Sequence, residues 1–89
     1  MPELLIAMDI QNLQIAQQIV VSYLNDTEQK NEAFDFYKYK KLGDFAIDSL
    51  ELFEMIMKVE EVLGLAIDDS VIDSDLTIEE LTIKLISPD

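Results

Sequence analysis

Residues 48–64, Asp-Ser-Leu-Glu-Leu-Phe-Glu-Met-Ile-Met-Lys-Val-Glu-Glu-Val-Leu-Gly, constrain the fold of this 89-residue chain more than any other stretch. They carry both ends of a helix and its buried face. Asp48 or Ser49 supplies an N-cap, and Glu51, three residues after Asp48, completes a capping-box arrangement. Gly64 supplies the C-terminal stop. Leu52, Met55, Ile56, Val59 and Leu63 recur at helical spacing as one broad apolar stripe, with Val62 on its edge. Glu51 and Glu54 suit the positive end of the helix dipole. A second stripe, Leu50, Phe53 and Met57, is rotated away by roughly a third of a turn. A helix packed on one side needs only one of these stripes. Either this helix is buried around most of its circumference, or the second stripe meets a partner.

The flanking segments predict more helices. Leu13, Ala16, Ile19 or Val20, and Tyr23 mark a first helix from about Asp9 to Leu24. Leu4, Leu5, Ile6 and Met8 offer a backward extension, and Asn25-Asp26-Thr27 reads as a stop. Glu28 to Ile47 is a long connection rich in aromatic residues. A loop of that length is unusual unless it packs or works, and its aromatic side chains are expected to pack across the helices. Alternation at Phe34-Asp35-Phe36 suggests a strand, but a lone strand has no partner, so an ordered loop with one helical turn is the expectation. Beyond Gly64 the chain stays apolar through Leu65-Ala66-Ile67. A short helical turn is expected within Asp68–Asp75, with Val71 and Ile72 facing inward. Thr77 and Glu80 form a capping box for a last helix with Ile78, Leu81, Leu85 and Ile86 on its core face, ended by Ser87-Pro88-Asp89. The expected fold is all-α: three main helices plus one short helix, with a long ordered loop after the first, as one domain over residues 1–89.

Charge narrows the function. Six lysines oppose nineteen acids, a formal net charge of -13. Residues 1–41 hold six acids and four lysines, net -2, whereas residues 42–89 hold thirteen acids and two lysines, net -11. Such a surface repels nucleic acid and anionic membrane and attracts basic proteins. With neither cysteine nor histidine, thiol chemistry, zinc fingers and imidazole catalysis are excluded. No stretch is apolar enough for stable membrane insertion, and no basic start precedes an apolar run as in a secretory signal; the expected location is cytoplasmic. The acids between Asp68 and Glu79 fail the calcium-loop pattern, because the sixth position from Asp68 is Asp73 rather than glycine. The carboxylate pairs on the central helix lack any nucleophile–base system. No enzyme is expected, and no metal site.

Asp48-Ser49-Leu50 opening an acidic helix, Glu60-Glu61 near its end, the apolar Leu65-Ala66-Ile67 and the threonine-started helix at Thr77 together resemble the acyl carrier protein family. The resemblance covers roughly Leu42 to Ile86. It implies that Ser49 bears 4'-phosphopantetheine, derived from coenzyme A, through a phosphodiester bond, with Asp48 and Leu50 completing the attachment motif and Asp48 aiding the modifying enzyme. It implies a partner surface of Leu50, Phe53 and Met57 with the charges of Glu51, Glu54, Glu60 and Glu61. The first stripe would line a core that shelters an acyl chain in many family members. The implied function is to hold an acyl or related intermediate as a thioester on the arm. The implied partners are a phosphopantetheinyl transferase and acyl-transferring, ketosynthase or acyl-activating enzymes with basic docking surfaces, met by a monomeric carrier. Phe45-Ala46-Ile47 replaces the family's glycine-containing approach to the serine, the preceding loop holds Lys38, Lys40 and Lys41, and Lys58 interrupts the acidic helix. These departures suit a specialised lipid or secondary-metabolite pathway. Two alternatives stand beside this reading: an aminoacyl or peptidyl carrier, whose modules are usually less acidic, and an acidic helical adaptor without a prosthetic group.

Overall fold

The computed structural model describes residues 2–68, 70 and 72–86, with side chains from Ile10 onward. Helix α1 spans Pro2–Glu28, α2 Phe34–Tyr37, α3 Ser49–Leu63 and α4 Ile78–Ile86, with a 3-10 turn at Leu42–Asp44. Among the described residues there are no strands, and the expected all-α bundle forms; its short helix is α2, in the connection after α1, while of the short helical turn expected within Asp68–Asp75 the described residues show a 3-10 conformation at Ser70. Helix α1 is its spine, packing against α3, α4 and α2.

The core forms where the apolar stripes converge. Helix α1 contributes Ala16, Val20 and Leu24; α3 contributes Met55, Ile56 and Val59; α4 contributes Ile78, Leu81 and Leu85. On α1 the centre of the buried face is therefore Val20 and Leu24, with Ile19 and Tyr23 flanking it as partly buried residues. Residues three and four apart share a helix face, and tertiary packing chooses which diagonal lies at its centre. Thr82 is also fully buried. Its hydroxyl donates to the Glu79 carbonyl at 2.8 Å, so no polar group is stranded.

The first helix outruns its expected stop. Asn25, Asp26 and Thr27 continue the helix to Glu28, and the chain turns at Gln29, whose φ is 53°. The Lys30 N–H donates back to the Asn25 carbonyl at 2.9 Å, closing the helix end. Polar residues read as a breaker are instead used as clamps. Asn25 donates from Nδ2 to the Glu32 carbonyl at 3.0 Å and accepts the Glu32 N–H at 3.0 Å on Oδ1. The same Oδ1 accepts the hydroxyl of buried Tyr37.

This clamp orders the long connection. The Phe34 region takes one helical turn rather than a strand. Tyr37 and Phe45 pack edge to face, 5.7 Å between centroids, and bury the connection in the core. Phe36 and Tyr39 remain exposed, so the aromatic side chains divide between core and surface. An isolated antiparallel bridge joins Lys41 to Thr77. Around it, Leu42 N–H reaches the Leu76 carbonyl at 2.8 Å, Gly43 N–H reaches Ser74 at 2.9 Å and Ile78 N–H reaches Lys40 at 2.9 Å. A Cβ at Gly43 would sit 3.2 Å from the Ser74 carbonyl oxygen, so glycine permits this approach.

Helices α3 and α4 follow their caps. Gly64 takes the left-handed conformation at φ 66° and ends α3. Thr77 and Glu80 form the full reciprocal box: Thr77 N–H to Glu80 Oε1 at 2.9 Å, Glu80 N–H to Thr77 Oγ1 at 3.1 Å. In the 68–75 connection, Ile72 packs on the core as expected, and Ser70 lies in a 3-10 conformation. The inward placement of Val71 and the stop at Ser87-Pro88-Asp89 fall outside the described residues. Among the described residues no helix is long and apolar enough to cross a membrane.

Candidate functional site

Asp48 is the N-cap of α3. Its backbone is extended (φ -84°, ψ 172°), and its Oδ1 accepts the Glu51 N–H at 2.8 Å. That assignment settles which residue of the pair caps the helix. It places Ser49 at the first helical position, exposed, and among the described residues no hydrogen bond engages its hydroxyl. The backbone N–H groups of Ser49 and Leu50 lie in the first turn, before intrahelical acceptors exist. A phosphate ester on Ser49 would meet those donors and the positive end of the helix dipole. Access, free hydroxyl and local potential therefore all fit a phosphodiester at this position.

A crevice of about 170 Å³ opens beside the hydroxyl, lined by Ser49, Leu52, Phe53, Ile56 and Ile72. Apart from Ser49 its walls are apolar. The 68–75 connection supplies one wall through Ile72, so this connection and α3 together shape the space beside the serine.

The second stripe of α3 faces outward. Leu50, Phe53 and Met57 are 68%, 53% and 57% exposed. Of the two readings of this stripe, burial on most of the circumference is ruled out. The side chains of Glu54 and Glu61 are exposed beside it, with Val62 further along. An open depression between Glu54, Met57, Lys58, Glu60 and Glu61 mixes both characters.

Glu51 and Glu60 sit differently. Glu51 is half-buried and its Oε2 accepts the Thr27 hydroxyl at 2.9 Å. Its carboxylate thus ties the mouth of α3 to the end of α1, rather than turning back to the Asp48 N–H as a reciprocal box requires. Glu60, also half-buried, accepts the Ile67 N–H at 2.8 Å and holds the chain beyond Gly64. Sequence spacing gave no sign of Thr27 or Asn25 as supports, because their partners lie on other elements.

Among the described residues no cluster of acids forms a candidate metal centre. Several acids instead accept backbone N–H groups, Asp48 from Glu51, Glu60 from Ile67, Asp68 from Ser70 and Asp73 from Asp75 among them. Hydrogen bonds from Ser70, the backbone N–H foremost, hold Asp68 below the usual carboxylate range.

A family model described as the phosphopantetheine attachment site matches residues 40–85, slightly more than half of the chain. No curated protein and no solved structure matches the chain. The matched span runs from the Lys41–Thr77 bridge through α3 and nearly all of α4, and so contains Ser49, the crevice and the exposed stripe. The chain belongs to the phosphopantetheine-attachment family and is an acyl-carrier-type protein whose domain is the site of covalent 4'-phosphopantetheine attachment.

Proposed function

We propose that Ser49 is the attachment residue and that the protein presents an acyl group to successive partner enzymes. The observation that carries this reading is the exposed, unengaged Ser49 hydroxyl at the first position of α3, with the cap supplied next door by Asp48. When bound, the group supplies a flexible arm ending in a thiol, so the chain needs no cysteine of its own. The residues of the chain then have three tasks. Asp48 holds the helix mouth in register and offers a carboxylate to the transferase. The crevice beside Ser49 gives the distal, apolar part of a short cargo a place out of water. The face of Leu50, Phe53 and Met57, charged by Glu54 and Glu61, meets basic enzyme surfaces. Glu51 and Glu60 lie at the edges of that face and contribute field more than direct pairing.

Tethering raises the effective concentration of cargo at each enzyme. Negative charge speeds encounter, and a small apolar patch keeps affinity modest enough for release. Family members meet a phosphopantetheinyl transferase and acyl-handling enzymes; for this chain we place the latter in a specialised lipid or secondary-metabolite pathway, in the cytoplasm, with a monomeric carrier. The Phe45-Ala46-Ile47 approach to Ser49 and the lysine-bearing loop support that placement. The net charge of -13 favours acyl over aminoacyl or peptidyl cargo.

Intact mass after incubation with coenzyme A and a broad-specificity phosphopantetheinyl transferase tests the reading. The folded chain is expected to gain one phosphopantetheinyl group, and Ser49→Ala to gain none. Because Asp48 is the cap, Ser49→Ala is expected to keep its fold, so absence of loading reports the hydroxyl itself. A wild-type chain that stays folded and unmodified would instead favour the adaptor without a prosthetic group.

A further inference from the structure

Lysine is scarce in this chain and strongly clustered: Lys30, Lys38, Lys40 and Lys41 are four of the six. They surround two exposed rings, Phe36 (40% exposed) and Tyr39 (73% exposed). The Lys40 Nζ lies 4.0 Å and the Lys30 Nζ 5.0 Å from the Phe36 centroid, and the Lys38 Nζ lies 5.0 Å from that of Tyr39. Nineteen acids are available, yet among the described residues the ion pair formed here is Lys38 with Asp35, at 3.4 Å. Among the described residues Lys30, Lys40 and Lys41 form no ion pair, and Lys30 and Lys40 are held over the Phe36 ring.

The patch is rigidly mounted. Tyr37, between the two rings, is locked by Asn25 from one side. From the other, the carbonyls of Lys38 and Lys40 accept the N–H groups of Glu79 and Ile78 at 3.0 and 2.9 Å. Exposed rings with oriented cations over them, of which Lys38 alone is ion-paired among the described residues, form a preorganised surface. Its charge is opposite to that of α3.

We infer that the Lys30–Lys41 segment is a second docking surface, which engages an acidic, apolar-containing segment of a partner protein. Charge complementarity selects that occupant. A second copy of this chain would bring another net charge of -13 to the encounter and is disfavoured by long-range repulsion. A partner that offers basic side chains to α3 and acidic ones to this segment avoids that repulsion, and two surfaces of opposite sign fix orientation and reject enzymes that carry only one. The part assigned to α3 rests on the carrier reading; the patch itself requires no modification of Ser49.

The test titrates the ¹⁵N-labelled full chain at low salt with a synthetic peptide rich in glutamate and leucine, followed by amide chemical shifts. Shifts centred on residues 30–41 are expected, and they should vanish as salt screens the interaction. Lys30→Glu with Lys40→Glu should weaken binding about fivefold. Lys58→Glu with Lys84→Glu changes net charge equally and should leave binding within twofold. Lys30→Gln with Lys40→Gln serves if the reversal disturbs the amide spectrum of the free protein. Equal weakening by both pairs, shifts elsewhere, the same shifts with inorganic phosphate alone, or self-association through this segment in sedimentation would each overturn the inference. Coenzyme A loading of the wild type, read in parallel by mass, bears on the carrier reading alone.

Discussion

Truncating Asn25 to alanine should destabilise the protein out of proportion to the size of the change. Asn25 closes three hydrogen bonds: two with the backbone of Glu32 and one from the Tyr37 hydroxyl. The Glu32 groups lie near the surface, where water replaces part of what is lost, so these two bonds contribute about 1 kcal/mol together. Tyr37 is 1% exposed. Its hydroxyl would lose its acceptor in a buried position, a cost of about 1–3 kcal/mol. The total is about 2–4 kcal/mol, which for a domain of this size lowers the melting temperature by roughly 10–25 °C. Urea denaturation followed by far-UV circular dichroism gives the free energy directly. Tyr37→Phe removes the donor together with its need for a partner, and should cost only about 1 kcal/mol. The double variant should then be less destabilised than the two single losses combined, by about 1 kcal/mol. A loss below about 0.5 kcal/mol for Asn25→Ala, or simple additivity, would refute the clamp. Amide exchange gives a second reading: protection of Glu32 should fall in the variant, while that of α3 persists.

Three further outcomes separate structural from functional charge. Asp48→Asn keeps a side-chain acceptor for the Glu51 N–H and should melt like the wild type, whereas Asp48→Ala should lose about 1 kcal/mol; slower phosphopantetheine loading in both would assign a role to the carboxylate, and wild-type loading by Asp48→Asn would deny it one. Glu54→Lys with Glu61→Lys should leave stability within about 0.5 kcal/mol but slow transfer to basic partners at low salt, while Glu60→Ala, which strips the Ile67 N–H of its acceptor, should cost about 1 kcal/mol; equal melting of the two variants would contradict this division. Hydrogen bonds from Thr77, the backbone N–H first, hold Glu80 below the usual carboxylate range. The folded value being the lower one, the contribution of Glu80 is present at neutral pH and lost as pH falls below about 4. Glu80→Gln should therefore show a shallower acid loss of stability, and a slope equal to that of the wild type would exclude this linkage.

Local rules reached far into this fold. A cap at Asp48 or Ser49, the capping box at Thr77–Glu80, the glycine stop at Gly64 and the core stripe of α3 all follow from neighbours within four residues, and a helix of 15 residues averages out small errors in such patterns. The presence of two apolar stripes on α3 was legible too. Whether the second of them faces water was not, because that depends on whether another element covers it; the exposure of Leu50, Phe53 and Met57 records that no described element does.

What the amino-acid sequence determined by itself was therefore everything encoded by spacing: the helical class, the acidic asymmetry, and a serine next to an aspartate at the mouth of a helix, with the choice of cap between them left to the structure. Only the tertiary structure decided how distant groups are used. It turned Asn25-Asp26-Thr27 from a stop into the last turn of α1, because Asn25 finds Glu32 and Tyr37, and Thr27 finds Glu51 across 24 residues. It also divided four similar glutamates into two that hold the bundle and two that face solvent. The physical reason is common to all these cases. A polar side chain is committed by whichever partner folding brings within hydrogen-bond reach, and residues far apart in the chain acquire that reach only when the helices pack.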